Sequence, residues 1–452
     1  MVRRNLLIAL ILIVGASVVP AWDFGGYLDN TTGLENSPVG SGGPVDLVQQ
    51  TTVAGWLYDR FGSWTLDVQG SYTFTPVVPV LADLDRLVLE GIFPAELGGA
   101  RSFGVKVGRF MAADVTGYVL NHRLDGLSLS VGRAASTFSA GVGTTALIQK
   151  PTSAVVMSRL DVLSLSDGAV LFGPPRLIAT FKYQARSLFA GQDLTIGALV
   201  QEDLRAAATL TPELETDFDP AGGGALDTQY VSLLLSGGLI PGLFHRTFYT
   251  VNTGRTLSYR ADAESVTGFS YQYTPVFGHL AGIEMSYFLP QVLNSRIRLG
   301  GLFSTGEGEL AGGSGGSYIE GNTDTVSSAF IPVSADSFSD VFSLQPGNSA
   351  HIALSYSLRP LSNTSADILQ TELSSVLYFR TSGGGPVSAG TVDASTTGAY
   401  VGTDIDLKVV VQPFSDLRVV LAGGIFLPNA AVMTSGNEGV SYQATLQGVL
   451  RF

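Results

Sequence analysis

The stretch SWTLDVQGSYTFT at residues 63–75 decides the fold, because its apolar and polar residues alternate without a break. Its odd positions hold only Ser, Thr, Asp and Gln, and its even positions hold Trp64, Leu66, Val68, Gly70, Tyr72 and Phe74. Successive side chains of a β-strand point to opposite faces, so the stretch predicts a strand with one apolar and one polar face. The same alternation returns at 350–358, 369–379 and 405–411, which indicates a sheet of many such strands.

The composition favours strands that lie between lipid and water. Of 452 residues, 45% are hydrophobic and only 14% are charged, whereas a soluble domain carries about 25% charged residues. Hydroxyl-rich strands with few charges suit a wall whose two faces meet lipid and a wet lumen. The net charge of -13 argues against a nucleic-acid partner, which requires basic patches, and the hydrophobic content argues against disorder.

Residues 1–21 have the layout of a secretory signal peptide. A basic start that includes Arg3 precedes an apolar run at 6–19, and Ala21 places a small residue at the expected cleavage point. The apolar run is shorter than the ~20 residues of a membrane-spanning helix, which makes an uncleaved anchor the weaker alternative. The chain has no Cys, so a lipid-modified cysteine at the cleavage point is excluded. We expect export, followed by a single barrel domain at 22–452.

The length of the alternating segments indicates strands that cross a membrane. They run over about 10–14 residues, whereas soluble strands average ~5–6 and a tilted transmembrane strand needs ~9–11. Tight turns alternate with longer polar loops, as they do in bacterial barrels. We therefore predict an all-β fold, a transmembrane antiparallel up-and-down β-barrel of about 18 strands, with 16–20 possible.

The number of candidate strands conflicts with the parity of such barrels. Nineteen segments fit the pattern, whereas single-chain bacterial barrels have an even number of strands. Strand directions traced from the two ends of the chain clash between about residues 240 and 305, where the candidate segments are 241–254, 264–275, 279–289 and 293–305. One of the nineteen assignments must therefore be wrong.

Aromatic residues of several strands fit the belts that mark the two membrane interfaces. Ordinary strand propensity is the alternative explanation for their positions. The residues are Trp56, Tyr58, Trp64, Tyr72, Phe74, Tyr287, Phe379 and Tyr442.

The last predicted strand ends on an aromatic residue. Tyr442, Leu450 and Phe452 lie on its apolar face. In this respect the chain resembles the bacterial outer-membrane porins and related barrels, whose closing strand typically ends in Phe and serves as a signal for the assembly machinery. The resemblance implies a place in the bacterial outer membrane, in contact with its lipid, and it fixes no single family.

A second stretch carries the same resemblance. Residues 107–110, Asp114, Gly117 and 124–127 look like the strand, inward loop and strand of porin-like and alginate-export-like proteins. Gly and Asp are also common turn residues at the strand ends of any barrel, so the stretch supports only the general class.

Two longer connections, near 201–224 and 306–348, are predicted to be external loops. Loops of this kind can bind calcium, gate a pore or fold inward as a constriction. The stretch Asp217-Phe218-Asp219 lacks the remaining ligands of an EF-hand loop. We therefore expect solvated loops at both places.

Charged residues on the polar faces are candidates for lining the lumen. Facing rows of opposite charge produce a transverse field that orders polar solutes by charge and dipole. Arg296 and Arg298 share one face of a strand and are the first choice for an anion contact, whereas pairing within the wall is the alternative role for each candidate. The candidates are Arg176, Lys182, Arg296, Arg298, Arg380, Lys408, Asp67, Glu90, Glu372, Asp404 and Asp406.

Transport is the predicted function, through an outer-membrane channel that passes small polar or charged solutes along a water-filled lumen. The alternatives are a fatty-acid-type transporter of hydrophobic substrates and a structural or adhesive barrel that acts through its loops. The histidines His122, His245, His279 and His351 have no metal-ligand spacing, so we expect no enzyme activity, catalytic residue, metal or cofactor. The oligomeric state, monomer or trimer, is left open.

Overall fold

Antiparallel pairing runs without interruption around the molecule. The computed structural model describes residues 22–36, 45–95, 97–166, 168–205, 224–264, 269–308, 319, 325–335, 337–362 and 368–452. Within these residues there are eighteen strands, each paired with the next along the chain. They are β1 (Asp23–Asn36), β2 (Asp46–Phe61), β3 (Trp64–Phe74), β4 (Leu81–Pro94), β5 (Ser102–Ala113), β6 (Asn121–Gly132), β7 (Ser136–Thr144), β8 (Arg176–Phe189), β9 (Gln192–Asp203), β10 (Leu226–Ile240), β11 (Leu243–Ala261), β12 (Phe269–Leu289), β13 (Ser295–Ser304), β14 (Ala350–Leu358), β15 (Leu369–Phe379), β16 (Tyr400–Val411), β17 (Leu417–Pro428) and β18 (Ser441–Arg451).

Helical structure is a minor part of the described chain. One short helix, α1 (Arg159–Ser166), lies between β7 and β8. Among the residues that the structure describes, no helix is long and apolar enough to cross a membrane.

The first and last strands close the sheet into a barrel. β1 pairs with β18 from Tyr27 opposite Arg451 to Asn36 opposite Tyr442. Beyond this ladder, the Gly26 and Phe452 backbones exchange two hydrogen bonds, of 2.8 and 3.0 Å. The predicted eighteen-stranded, up-and-down antiparallel barrel is confirmed.

The barrel is apolar outside, the reverse of a soluble protein. Leu407 on β16 is 51% exposed and Leu446 on β18 is 53% exposed, although Leu is among the residues most often buried in soluble proteins. The two faces follow the alternation of the sequence, since Asp406 and Lys408 flank Leu407 and point the other way. The outer wall therefore fits contact with hydrocarbon.

The parity conflict is resolved at β12. The segments 264–275 and 279–289 belong largely to one strand of 21 residues, which pairs with β11 from Tyr287 to Phe269. The strand contains Pro275 and Gly278, residues that are common in turns. Separating the two segments is what produced the count of nineteen.

Pro275 is tolerated inside a strand because β13 does not pair with this part of β12. β13 pairs with β12 only from Leu280 onward, and near Pro275 a short parallel bridge to Ser327 takes its place. On that side the Phe277 N–H donates to the Ser327 carbonyl, and the Ser327 N–H donates to the Pro275 carbonyl, both at 2.8 Å. Pro275 lies two residues earlier on the same side, where no ladder bond is needed, and proline has no N–H to offer.

Short turns and long connections lie at opposite ends of the barrel. The turn between β2 and β3 takes two residues, with Gly62 at a φ of +61°, whereas 45 residues separate β13 from β14. We call these ends the turn end and the loop end. With an even number of strands, Asp23 and Phe452 both lie at the turn end.

Two of the aromatic residues assigned to the belts face the lumen. Trp56 is paired opposite Gln69, and Tyr58 opposite Asp67, on the polar face of β3. Tyr58 lines a lumen cavity together with Asp67. Alternation in β2 is weak, which is why its apolar residues alone did not identify the outward face.

The two faces of the wall should respond differently to a new charge. We expect Leu407→Arg to lower the free energy of unfolding of the refolded barrel by roughly 2–4 kcal/mol, because the guanidinium would enter hydrocarbon. The matched control is Gln447→Arg on the lumen face, beside Asp29, and it should leave stability nearly unchanged. Urea unfolding in lipid vesicles, followed by tryptophan fluorescence, measures both. Equal losses would contradict the assignment of the faces.

Candidate solute pathway

The connection between β13 and β14 enters the barrel. We call its described parts, residues 325–335 and 337–349, the inward loop. Phe330 and Leu344 in this loop have no exposed surface. The expectation of a solvated loop near 306–348 is therefore wrong for these residues.

Lumen-facing polar side chains satisfy the backbone of the inward loop. The Tyr230 hydroxyl of β10 donates to the Ile331 carbonyl at 2.6 Å, and the Ile331 N–H donates to Asn252 Oδ1 of β11 at 3.2 Å. Buried backbone groups need such partners, since an unpaired one costs about as much as a lost hydrogen bond. Tyr230 and Asn252 are themselves buried by the loop.

The short connection between β5 and β6, residues 114–120, also folds inward. Asp114 holds its turn by accepting from the N–H groups of Thr116, Gly117, Val119 and Leu120 and from the Thr116 hydroxyl. Gly117 has a φ of +76°, in the left-handed region that favours glycine. This is the inward loop that the resemblance implied.

Residues 114–120 reach across the lumen to the wall of β11 and β12. The Tyr118 hydroxyl donates to Glu284 at 2.9 Å. The Tyr118 ring stacks on Phe338 of the inward loop, with 5.7 Å between the centroids. The Val333 N–H donates to the Val119 carbonyl at 2.8 Å. Two inward segments thus meet and narrow the barrel interior.

A second set of contacts, which we call the latch, fastens the inward loop to β16 and β17. The Phe342 N–H donates to Asp404 at 2.9 Å, and the Asp340 N–H donates to Asp406 at 3.4 Å. The Phe342 ring stacks on Phe426 at 4.0 Å with an interplanar angle of 8°. These carboxylates therefore bind loop backbone instead of facing open lumen.

A central cavity of about 470 Å³ lies between the inward segments and the wall of β11–β15. Arg246 and Glu284 pair in its wall at 2.9 Å. Arg246 also donates to the Thr116 carbonyl, so it holds the 114–120 segment in place. The principal charged and aromatic residues that line the central cavity are Tyr118, Arg246, Glu284, Arg298, Phe338, His351 and Glu372.

A second chamber, of about 620 Å³, lies against β2–β5. Its charges are mostly paired: Arg86 contacts Asp67 at 2.6 Å, and Lys106 contacts Glu90 at 3.4 Å. Because these partners lie on neighbouring strands and are partly exposed, they neutralise each other while remaining in reach of a solute.

Four of the predicted cations face lumen cavities or lumen-facing rings and form no ion pair with any described residue. Arg298 lines the central cavity, and Arg296 lies over the Phe288 ring at 5.9 Å. Lys182 and Lys408 line cavities of about 370 and 230 Å³.

Among the predicted anions, Glu372 alone lines a cavity while forming no ion pair with a described residue. Among the residues predicted to line the lumen, four cations but only one anion therefore line a cavity or ring without an ion-pair partner among the described residues.

The other predicted residues lie in contacts that hold loops. Arg176 is fully buried and bridges Asp161 of α1 and Asp203 of β9. Arg380 is almost fully buried and donates to the Gly398 carbonyl at 2.8 Å. Asp404 and Asp406 belong to the latch.

Charge also orders the loop around Arg380. The Asp393 carboxylate accepts from the Ser395 hydroxyl at 2.7 Å and from its N–H at 2.8 Å. These hydrogen bonds hold the pKa of Asp393 below its usual value.

Of the connection near 201–224, residues 206–223 lie outside the described part of the chain.

The sequence pattern did not single out Arg246 or Tyr118. In β11 the lumen face carries Phe244 and Phe248, whereas His245 and Thr247 point outward, so the alternation indicates the opposite orientation. The pairing of Arg246 opposite Glu284 is the signal that would have placed it correctly. Within the described ranges, no three His, Asp or Glu side chains are arranged to hold a metal ion.

No protein-family profile matches the chain, and no curated protein is detectably similar in sequence. Solved structures are similar in fold. Pseudomonas aeruginosa OpdL has a TM-score of 0.56 at 12% identity, covering 96% of this chain and 99% of its own. The P. aeruginosa outer membrane protein opdK has a TM-score of 0.53 at 11% identity, covering 95% and 99%.

A third similar structure holds a ligand. P. aeruginosa OccK2 (OpdF), solved in complex with glucuronate, has a TM-score of 0.52 at 14% identity, covering 95% of this chain and 98% of its own. At such identities the likeness establishes the fold alone. The chain has the fold of a porin-like outer-membrane β-barrel.

Proposed function

We propose that the protein is an outer-membrane channel for small polar solutes, with a preference for those that carry negative charge. The observation that carries this proposal is that four lumen-side cations, Lys182, Arg296, Arg298 and Lys408, form no ion pair with a described residue. An anion is stabilised near such groups, because the low-dielectric wall focuses their field into the water-filled path. Lipid surrounds the barrel in this proposal, and no catalytic residue, metal or cofactor takes part.

The central cavity supports solutes of a particular size and polarity. Its volume of about 470 Å³ suits a small molecule, and its lining combines Arg298 with polar and aromatic side chains. The glucuronate found in OccK2 is a small, hydroxyl-rich carboxylate. A solute of that chemistry fits both the free cations and the hydroxyl-rich wall.

A path for hydrophobic substrates receives less support. Such a path needs apolar surface that a solute can touch, whereas Val119, Leu120 and Phe330 inside the barrel have no exposed surface. These side chains pack against one another and hold the inward segments. The apolar interior is therefore structural.

Export and assembly belong to the same proposal. Residues 1–21, which lie outside the described part of the chain, act as a cleaved signal peptide. Tyr442, Leu450 and Phe452 form the assembly signal on the outward face of β18. All three are partly or largely exposed, and β18 is the strand that closes the barrel.

The charge preference is tested in planar bilayers with the refolded mature protein. We expect steady ohmic conductance, and we expect Arg298→Ala to lower the anion-to-cation permeability ratio about twofold. An ion that passes ~8 Å from a unit charge in water interacts with it by ~0.5 kcal/mol. The matched control is Arg255→Ala on the outer face, which should change nothing. Inserted barrels that never conduct would contradict the channel and favour a structural barrel that acts through its loops.

The latch should limit conductance. Phe342→Ala removes the ring stacked on Phe426, a contact worth ~0.5–1.5 kcal/mol beyond its buried area. We expect larger or noisier single-channel currents, because the inward loop would leave the wall more often. Phe414→Ala, at an exposed turn, is the control. Currents identical to those of the wild type would mean that the latch does not restrict the path.

The assembly signal is tested by deleting Phe452. We expect the amount of folded barrel in the outer membrane to fall at least about threefold, while the purified chain still refolds into detergent. Phe24→Ala, an exposed aromatic residue of β1 at the same end, serves as control. Normal amounts of folded barrel without Phe452 would refute the signal, and failure to refold in detergent would indicate a role in stability instead.

A further inference from the structure

Four polar side chains form a patch on the outer wall, which we call the polar island. They are Asn30 and Thr32 of β1 and Gln49 and Thr51 of β2. Asn30 is paired opposite Thr51, and Thr32 opposite Gln49. On its other side Thr32 is paired opposite Leu446, which is 53% exposed on the outer face. The four side chains therefore point to the lipid side.

The island is enclosed by apolar residues along both strands. Toward the loop end, Leu34 is paired opposite Leu47, with 49% and 64% of their surfaces exposed. Toward the turn end, Leu28 is paired opposite Val53, with 38% and 45% exposed. The polar side chains thus interrupt the apolar band instead of lying at its rim.

Hydrogen bonds within the island satisfy only some of its hydrogen-bond donors. Asn30 Nδ2 donates to the Thr51 hydroxyl at 2.8 Å, and the Thr32 hydroxyl donates to Gln49 Oε1 at 2.9 Å. An amide nitrogen has two N–H groups and a hydroxyl has one O–H. The Gln49 amide nitrogen and the Thr51 O–H have no hydrogen-bond acceptor among the described residues.

Lipid chains offer no acceptor for these donors, and the hydrocarbon holds no water. A partner protein that brings polar groups of its own to this depth would supply the missing acceptors. The island is uncharged, and each of its side chains carries both a donor and an acceptor, so a rotated copy of the island is complementary to it. On the described strands, other outward amides such as Asn36, Gln192 and Gln229 lie near strand ends.

The wall beside the island allows close approach. Gly55 and Gly70 are in direct register across β2 and β3, whereas Gly26, the partner of Gly55 on β1, is covered by the Phe452 ring. A Cβ added at Gly448 would meet no atom within 4 Å, and one at Gly55 only a backbone oxygen at 3.9 Å. Small residues of this kind let membrane-embedded segments pack closely.

We infer that the outer wall of β18, β1, β2 and β3 is the surface through which two copies of this chain pair, island against island. A two-fold axis through the island brings each donor of one copy to an acceptor of the other. The pairing is independent of the solute pathway, since the island faces away from the lumen.

The first test is the oligomeric state of the full mature protein in detergent and in nanodiscs, measured by native mass spectrometry and analytical ultracentrifugation. We expect a dimer. In the double variant Asn30→Leu plus Gln49→Leu, we expect the dissociation constant to rise at least about tenfold, while heat-dependent gel mobility still reports a folded barrel. Ser375→Leu, an outward hydroxyl on β15, is the matched control and should keep the dimer. A wild-type monomer would overturn the inference, as would a dimer that the double variant leaves unchanged.

Cross-linking provides a second test that does not depend on weakening the complex. The chain has no Cys, so Thr32→Cys introduces a single thiol at the island. Mild oxidation in the membrane should link two copies, because the two-fold axis places each Thr32→Cys near its equivalent, whereas Ser375→Cys should remain unlinked. A link to a different protein, or a trimer in which Thr32→Cys fails to link, would overturn the pairing of like islands.

Discussion

In hydrocarbon, every backbone N–H and C=O group needs a partner within the protein, and the pairing of β1 with β18 supplies the last of these partners. The other features of the wall depend on this closure. A closed antiparallel sheet has no free edge, its strands must be long enough to cross the membrane, and consecutive strands must alternate direction. Its outer face must then be apolar, as at Leu407, and the polar residues are left to the interior. The polar island is notable against this rule because it lies inside the outer band.

The wall was predictable from sequence because its information is local. Residues 63–75 form one polar and one apolar face, whatever the register of their pairing. The alternation alone therefore identifies the strand and the orientation of its side chains. The predicted number of strands was wrong where the local sequence indicates a turn but the pairing continues as a strand. Pro275 and Gly278 resemble a turn, and only the pairing, in which β13 does not reach this part of β12, explains why a proline is tolerated there. The alternation in β11 indicates the wrong side-chain orientation, since Phe248 lies inside the barrel and Thr247 outside. The reason is that the inward segments turn part of the lumen into an apolar core.

The contents of the lumen could be predicted only in part. Asp114 and Gly117 form a self-contained turn, so a local signal for an inward loop was present. The larger inward loop gave no such signal, because its Gly-rich and Ser-rich composition also fits a solvated loop. Its burial depends on partners far along the chain, such as Tyr230 for Ile331. For the same reason, the sequence did not indicate that Arg176 and Asp404 are buried under loops.

Filling the lumen also changes the balance of charge that a solute meets. An eighteen-stranded barrel is too wide for wall side chains to fill, so folded segments occupy it and their buried N–H groups need acceptors. Carboxylates meet this need, as Asp114 does within its turn and Asp404 does for Phe342. Each carboxylate used in this way is withdrawn from the pathway, and guanidinium and ammonium groups cannot replace it because they only donate. A chain with a net charge of -13 can thus present free cations such as Arg298 to a solute. Which charged groups a solute can touch therefore depends on which acids the loops bind, and overall composition does not determine it.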